Sequence, residues 1–151
     1  MKISLNSIGK VKSTRKKPLD DNWHNETCSI VIADNYPTEM LTGIDSFSHL
    51  EIIYHFHLAD DAFKTIARHP RDNKEWPAVG IFAQRTKNRP NKLGVTKVEL
   101  ISVDGKTLHV KGLDAIDGTP VLDIKPVINA FEIQGNIKEP KWCAELMKNY
   151  W

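Results

Sequence analysis

Residues 85–100 read RTKNRPNKLGVTKVEL, and residues 112–126 read GLDAIDGTPVLDIKP. The first segment sets Arg85, Lys87, Arg89, Lys92 and Lys97 around a Pro90-Asn91 turn, with no acid among them. The second sets Asp114, Asp117 and Asp123 around Asp117-Gly118-Thr119-Pro120. A basic loop beside an acidic, glycine-marked loop suits a zwitterionic or cationic ligand held near a polyanion. Arginines offer a carboxylate or phosphate a two-pronged fork of N–H donors. Gly94 permits a close approach or a positive φ. Asp-Gly alone is a common turn signal, and a basic hairpin alone is often just a solvated face, so spacing does not name the ligand.

Strand signals dominate the rest of the chain. Leu5, Ser7, Gly9 and Val11 alternate before the basic cluster Arg15, Lys16 and Lys17, and Pro18 interrupts any ladder there. Cys28 to Ala33 is rich in β-branched residues and bounded by Asp34-Asn35. In SHLEIIYHFHL, Leu50, Ile52, Tyr54 and Phe56 share one face by the two-residue period, with Glu51, Ile53, His55 and His57 on the other. Val95 to Val103, a turn at Asp104-Gly105 and Thr107 to Lys111 read as a hairpin, and Val121 to Lys125 as a further strand. The long connection from Asp60 to Pro77 is expected to hold one helical turn around Ala62 to Ala67 and to carry function. Residues 140–151 read as a C-terminal helix, with Trp142, Leu146 and Tyr150 four apart on one side. That stripe either covers the barrel's own end or faces a second copy. Many short strands predict an all-β barrel or sandwich.

Composition sets bounds. At 151 residues, 40% of them hydrophobic and 26% charged, the expectation is one soluble domain spanning 1–151. The net charge of +2 neither demands nor excludes nucleic acid; only its distribution informs. Cys28 and Cys143 are too few for a disulfide framework. His55 and His57 lack a third ligand at metal spacing, so no metal is expected. No apolar run is long enough to span a membrane, and no apolar signal core follows Lys2, which points to the cytoplasm.

The two segments resemble the TrmO (TsaA-like, YaeB-like) tRNA methyltransferase family. GIFAQRTKNRPNKLGVT at 80–96 is similar to its GVFATRSPxRPNPIGLS string, and GLDAIDGTPVLDIKPV at 112–127 to its GLDxxDGTPVxDIKPY string. SIGKVKST at 7–14, FSHL at 47–50 and HPRDN at 69–73 match weaker family segments in the same order. The resemblance implies an antiparallel β-barrel and a homodimer. It implies S-adenosyl-L-methionine as methyl donor and tRNA as partner, with methylation of N6 of threonylcarbamoyl-adenosine at position 37. It places the donor on Arg85, Arg89, Asn91, Gly94, Asp117, Gly118 and Thr119. Asn91 either pairs with the adenine edge or ties its own loop; Asp117 either touches the donor or caps its turn. Lys16, Lys17, Arg71, Lys87, Lys92 and Lys125 are the candidate tRNA contacts, with Lys10, Lys12 and Arg15 nearby. Lys125 could instead pair with Asp123. Trp23, Trp76, Trp142 and Trp151 are stacking surfaces or core anchors. No general base is marked by spacing. Gln84, Lys92 and Val127 depart from the family's Thr, Pro and Tyr, and the chain leaves no room for the extra C-terminal domain of many members. These departures keep a second expectation open: a binding module that modifies no tRNA.

Overall fold

The computed structural model describes residues 1–60 and 63–151. Six strands form a closed antiparallel barrel: β1 (Gly9–Lys12), β2 (Thr27–Ile32), β3 (His49–His55), β4 (Leu93–Asp104), β5 (Thr107–Lys111) and β6 (Pro120–Pro126). The order around the barrel is β1-β2-β5-β4-β3-β6, and β6 pairs with β1 to close it. Alternation does the sorting. Val11, Ile30, Leu50, Ile52, Leu108, Val110 and Val121 point inward and are wholly buried, while their neighbours along each strand face out. Closure removes the open edges that short strands would otherwise present.

The twelve-residue β4 serves both halves of the barrel. Leu93 to Glu99 pairs with β3, and Glu99 to Asp104 pairs with β5. An irregularity between Leu100 and Ser102 shifts the register there. Such bulges bend and twist a strand, which lets one strand turn the corner of a small barrel. The hairpin that follows turns on Gly105-Lys106, one residue later than the Asp104-Gly105 expected from sequence. β3 ends at His55, so His57 lies beyond the strand rather than on its outer face.

The only α-helix among the described residues, α1, spans Lys141–Met147 and is shorter than the 140–151 stretch expected from periodicity. It packs on its own chain: the Trp142 and Trp76 rings lie 6.3 Å apart, and Trp76 Nε1 donates to Glu145 Oε2 at 2.7 Å. The Trp142, Leu146 and Tyr150 stripe is half-buried there. Residues 61–62, where the helical turn at 62–67 was expected to start, lie outside the described residues, and 63–67 carry no helix. No helix is long and apolar enough to cross a membrane.

Gly94 is the position where barrel packing is least forgiving. A Cβ built there would sit 2.4 Å from ring carbons of Tyr54, which is itself wholly buried. Gly94→Ala is therefore expected to lower the unfolding free energy by about 1–3 kcal/mol through overpacking. Urea denaturation measures this; an unchanged midpoint would show that the Tyr54 ring can move aside.

Candidate functional site

The first motif segment leads into β4 and the second follows β5, and the barrel brings them together at Asp114. Tyr54 on β3 donates its hydroxyl to Asp114 Oδ1 at 2.6 Å. The Thr96 hydroxyl on β4 donates to the same oxygen. Tyr150, past the end of α1, donates to the other oxygen, Oδ2. One carboxylate thus joins β3, the first motif, the second motif and the C-terminal segment. Burial, reinforced by the Asp114 carboxylate, holds both the Tyr54 and the Tyr150 hydroxyls well above the ordinary tyrosine range.

The Asp117-Gly118 turn is tied to the end of β1. Asp117 Oδ1 accepts the Ser13 N–H at 3.0 Å, Asp117 N donates to Arg15 O, and Gly118 N donates to Val11 O, both at 2.8 Å. Gly118 takes φ +78°, a left-handed conformation in which glycine carries no steric penalty. Thr119 is buried behind the turn. His57 lies alongside, its Nε2 3.8 Å from where a Cβ on Gly118 would sit. Burial first, and then the neighbouring His55, push its pKa below the ordinary histidine value.

The first motif loop meets the HPRDN loop across a cleft of about 200 Å³, lined by Arg68, His69, Arg71, Gln84, Thr86 and Asn88 among others. Its walls are braced from outside. Arg71 forms a two-pronged pair with Asp21 at 2.7 and 3.3 Å, and Arg68 pairs with Asp72 at 2.8 Å. Arg71 and Asp72 adopt φ +50° and +56°, strained for residues other than glycine. His69 Nδ1 lies 2.6 Å from Trp76 O. A carbonyl only accepts, so Nδ1 carries the proton of that bond, and in the neutral ring Nε2 keeps a free lone pair. Asn88 Oδ1 is buried with no hydrogen-bond donor from the described residues.

Residues 9–133 match the tRNA-methyltransferase O N-terminal domain. The chain belongs to this family. It is 40% identical over 140 residues to a probable S-adenosyl-L-methionine-binding protein of Pyrococcus abyssi, covering 90% of this chain and 74% of that protein. It is 37% identical over 143 residues to another of that description from Archaeoglobus fulgidus, covering 91% and 37%. With human tRNA (adenine(37)-N6)-methyltransferase the identity is 38% over 116 residues, covering 76% and 26%. A crystal structure of TrmO superposes with a TM-score of 0.76 at 25% identity, over 92% of this chain and 64% of that one. The chain therefore spans a little over a third of the Archaeoglobus relative, about a quarter of the human one and under two thirds of that TrmO chain.

Within this tRNA-methyltransferase O domain, the sequence-based candidates fall into distinct settings. Arg85 donates to Val95 O at 2.9 Å and Arg89 to Gln84 O at 3.1 Å, so both guanidiniums brace the motif loop. Asn91 is exposed, and Gly94 makes room for Tyr54. Lys92 takes φ +50° and its Nζ donates to Ala59 O at 2.8 Å. A proline ring holds φ near −65°, so the Pro of the family string could not adopt this conformation. Among the nominated cations, Lys87 lies 3.7 Å from Asp20 and Lys125 pairs with Asp123 at 2.7 Å. Lys16 and Lys17 are exposed. Trp23 is buried under the Arg15 guanidinium, 3.6 Å above its ring, which makes it a core anchor rather than an open stacking surface. Among the described residues no three His, Cys, Asp or Glu side chains gather as a metal site. Sequence reasoning missed Tyr54, Thr96, Tyr150 and Asn88 as site groups. Their signal is three-dimensional, apart from Thr96 and Asn88, which sit inside the quoted motif.

The raised tyrosines set a pH dependence. The native state retains phenolic protons that the unfolded chain releases above about pH 10, so their stabilisation is complete below that pH and declines as pH rises. Cys28, pushed up to about 12 by burial and then by Glu26, adds the same trend from about pH 9. Urea midpoints are expected to fall between pH 9 and 11, and Tyr54→Phe should make the decline shallower above pH 10. A wild-type profile that stays flat to pH 11 would contradict this.

Proposed function

We propose that this chain is an S-adenosyl-L-methionine-dependent methyltransferase acting on tRNA, and that its product is N6-methylated threonylcarbamoyl-adenosine at position 37. The observation that carries the reading is the Thr96–Asp114 hydrogen bond, which joins the two signature segments of a tRNA-methyltransferase O domain in one place. Relatives named for S-adenosyl-L-methionine binding support the donor, and the human adenine-37 N6 enzyme supports the acceptor class. In this proposal Arg85, Arg89, Asn91, Asp117 and Gly118 hold the donor, with Gly94 and Thr119 shaping the loops from behind. Lys16, Lys17, Arg71, Lys87, Lys92 and Lys125 face the tRNA. A cytoplasmic homodimer belongs to the same proposal. Because α1 covers its own chain, exposed apolar residues such as Phe82 and Phe131 are the better candidates for the contact.

Transfer needs the sulfonium methyl in line with the accepting nitrogen, and positioning supplies much of the acceleration. That nitrogen is weakly nucleophilic because its lone pair is delocalised, and it must shed a proton. Asp114 already accepts three hydroxyls, which commit it to holding the barrel and the C-terminal segment together. His69, anchored through Nδ1 and bordering the cleft, is the proposed proton acceptor through Nε2. Asn88 Oδ1 is an acceptor open to a ligand N–H. The second reading, a donor-binding module that leaves tRNA unmodified, is favoured by the left-handed Lys92 in place of the family proline.

Nucleoside mass spectrometry of tRNA from a deletion strain, before and after incubation with purified protein and labelled donor, separates the two readings. Restoration of a methylated threonylcarbamoyl-adenosine is expected; donor binding without any methylated nucleoside would leave the binding module. Arg89→Ala and Asp117→Ala should each weaken donor binding by about 1.5–3 kcal/mol in calorimetry. His69→Ala should keep donor affinity and lower kcat by about 10²–10⁴-fold; full activity in that variant would remove His69 from the mechanism.

A further inference from the structure

A groove of about 890 Å³ runs over the outside of the barrel, and no residue of the basic loop at 85–94 lines it. Strand register builds it. Lys12 on β1 faces Ser29 on β2, Ser29 faces His109 on β5, and His109 faces Ser102 on β4. A single polar row thus crosses four adjacent strands, roughly 14 Å by ordinary strand spacing. Ser29 Oγ and His109 Nδ1 are bonded at 3.0 Å, which fixes two members of the row. Lys10 stands two residues before Lys12 on the same face. The β4 irregularity sets Ile101 into the wall, half exposed, as an apolar patch beside the row.

Several cations elsewhere on the surface are compensated within the chain. Arg71, Lys87, Lys97 and Lys125 each lie against a carboxylate of their own chain. The Lys10 and Lys12 side chains make no ion pair or hydrogen bond to the described residues, although their backbones pair in the barrel. Among the described residues the only acid lining the groove is Asp117, and one of its oxygens is taken by the Ser13 N–H. Hydroxyls, two uncompensated lysines and an imidazole in a row can donate to successive phosphate oxygens and accept from 2′-hydroxyls. One end of the groove is the Asp117-Gly118 turn, so a strand lying in it is led to the second motif.

We propose that this face, from Lys10 and Lys12 across Ser29 and His109 to Ser102, is the track that holds the sugar-phosphate backbone of the RNA substrate. The inference rests on the tRNA methyltransferase reading and assigns that substrate a surface outside the motif loops. Fluorescence anisotropy with tRNA at several salt concentrations tests it, using Lys10→Gln/Lys12→Gln and, as a charge-matched control, Lys138→Gln/Lys141→Gln. Thermal melting checks folding, and calorimetry measures donor affinity. The groove variant should bind tRNA about tenfold more weakly and lose about 0.7–0.9 of salt slope for each lysine, with the control and the donor affinity unchanged. Wild-type tRNA binding that the groove substitutions do not alter, or that the control pair weakens equally, overturns the groove and leaves the methyltransferase reading standing. Loss of donor affinity in the folded groove variant likewise overturns it, because the lysines would then act through the motif turn. A wild-type protein that binds no tRNA overturns both.

Discussion

The Asp114 carboxylate is the constraint on which the rest of the site depends. It accepts hydroxyls from Tyr54, Thr96 and Tyr150, which come from β3, β4 and the chain's C-terminal segment. Burying such a group without partners would be costly, and leaving any of the three hydroxyls unpaired would add to the cost. The network therefore stands or falls together. Gly94 follows from it, since only a residue without a side chain leaves space for the Tyr54 ring that reaches Asp114. The C-terminal segment is held to the same hub: Tyr150 bonds Asp114, α1 packs over Trp76, and residues 22–23 bond the backbone of 149–150.

From this hub the two motif loops acquire fixed positions. Asp114 anchors the start of the second segment, and three residues later Asp117 and Gly118 are tied to the end of β1. Thr96 anchors the exit of the first segment, whose loop is braced by Arg85 and Arg89 onto backbone carbonyls. The cleft beside it is lined on its other side by the HPRDN loop, whose Arg71 and Asp72 take positive φ and whose Arg71 pairs with Asp21. Strain of this kind persists where surrounding contacts over-determine the backbone, and it gathers at binding sites. His69, with its lone pair left free, sits in that loop.

Much of the barrel was legible in the sequence because a strand's period of two is a strong local signal. Leu50, Ile52 and Tyr54 alternate inward as read, Thr107 to Lys111 is a strand with the expected limits, and the hairpin before it is displaced by a single residue. The C-terminal helix was read too long, since its apolar stripe continues to Tyr150 while the helix ends at Met147. Side-chain periodicity does not record where the backbone unwinds to let Tyr150 reach Asp114. The motif strings named the loops but not their division of labour. Nothing local distinguishes Asp114, which gathers hydroxyls, from Asp117, which accepts the Ser13 N–H beyond the end of β1. Tyr54 and Asp114 lie 60 residues apart and meet only once the barrel closes. The polar row from Lys12 to Ser102 was invisible for the same reason: each member is an ordinary outward strand residue until register aligns the four strands.

A double-mutant cycle on Asp114→Asn and Tyr150→Phe, read by urea unfolding, measures how strongly one carboxylate couples the C-terminal segment to the motif core. Contacting groups in one network are expected to show a coupling of about 0.5–3 kcal/mol. A coupling of at least about 1 kcal/mol is expected, as suits a hydrogen bond to a charged group. Strictly additive effects of the two substitutions would contradict it.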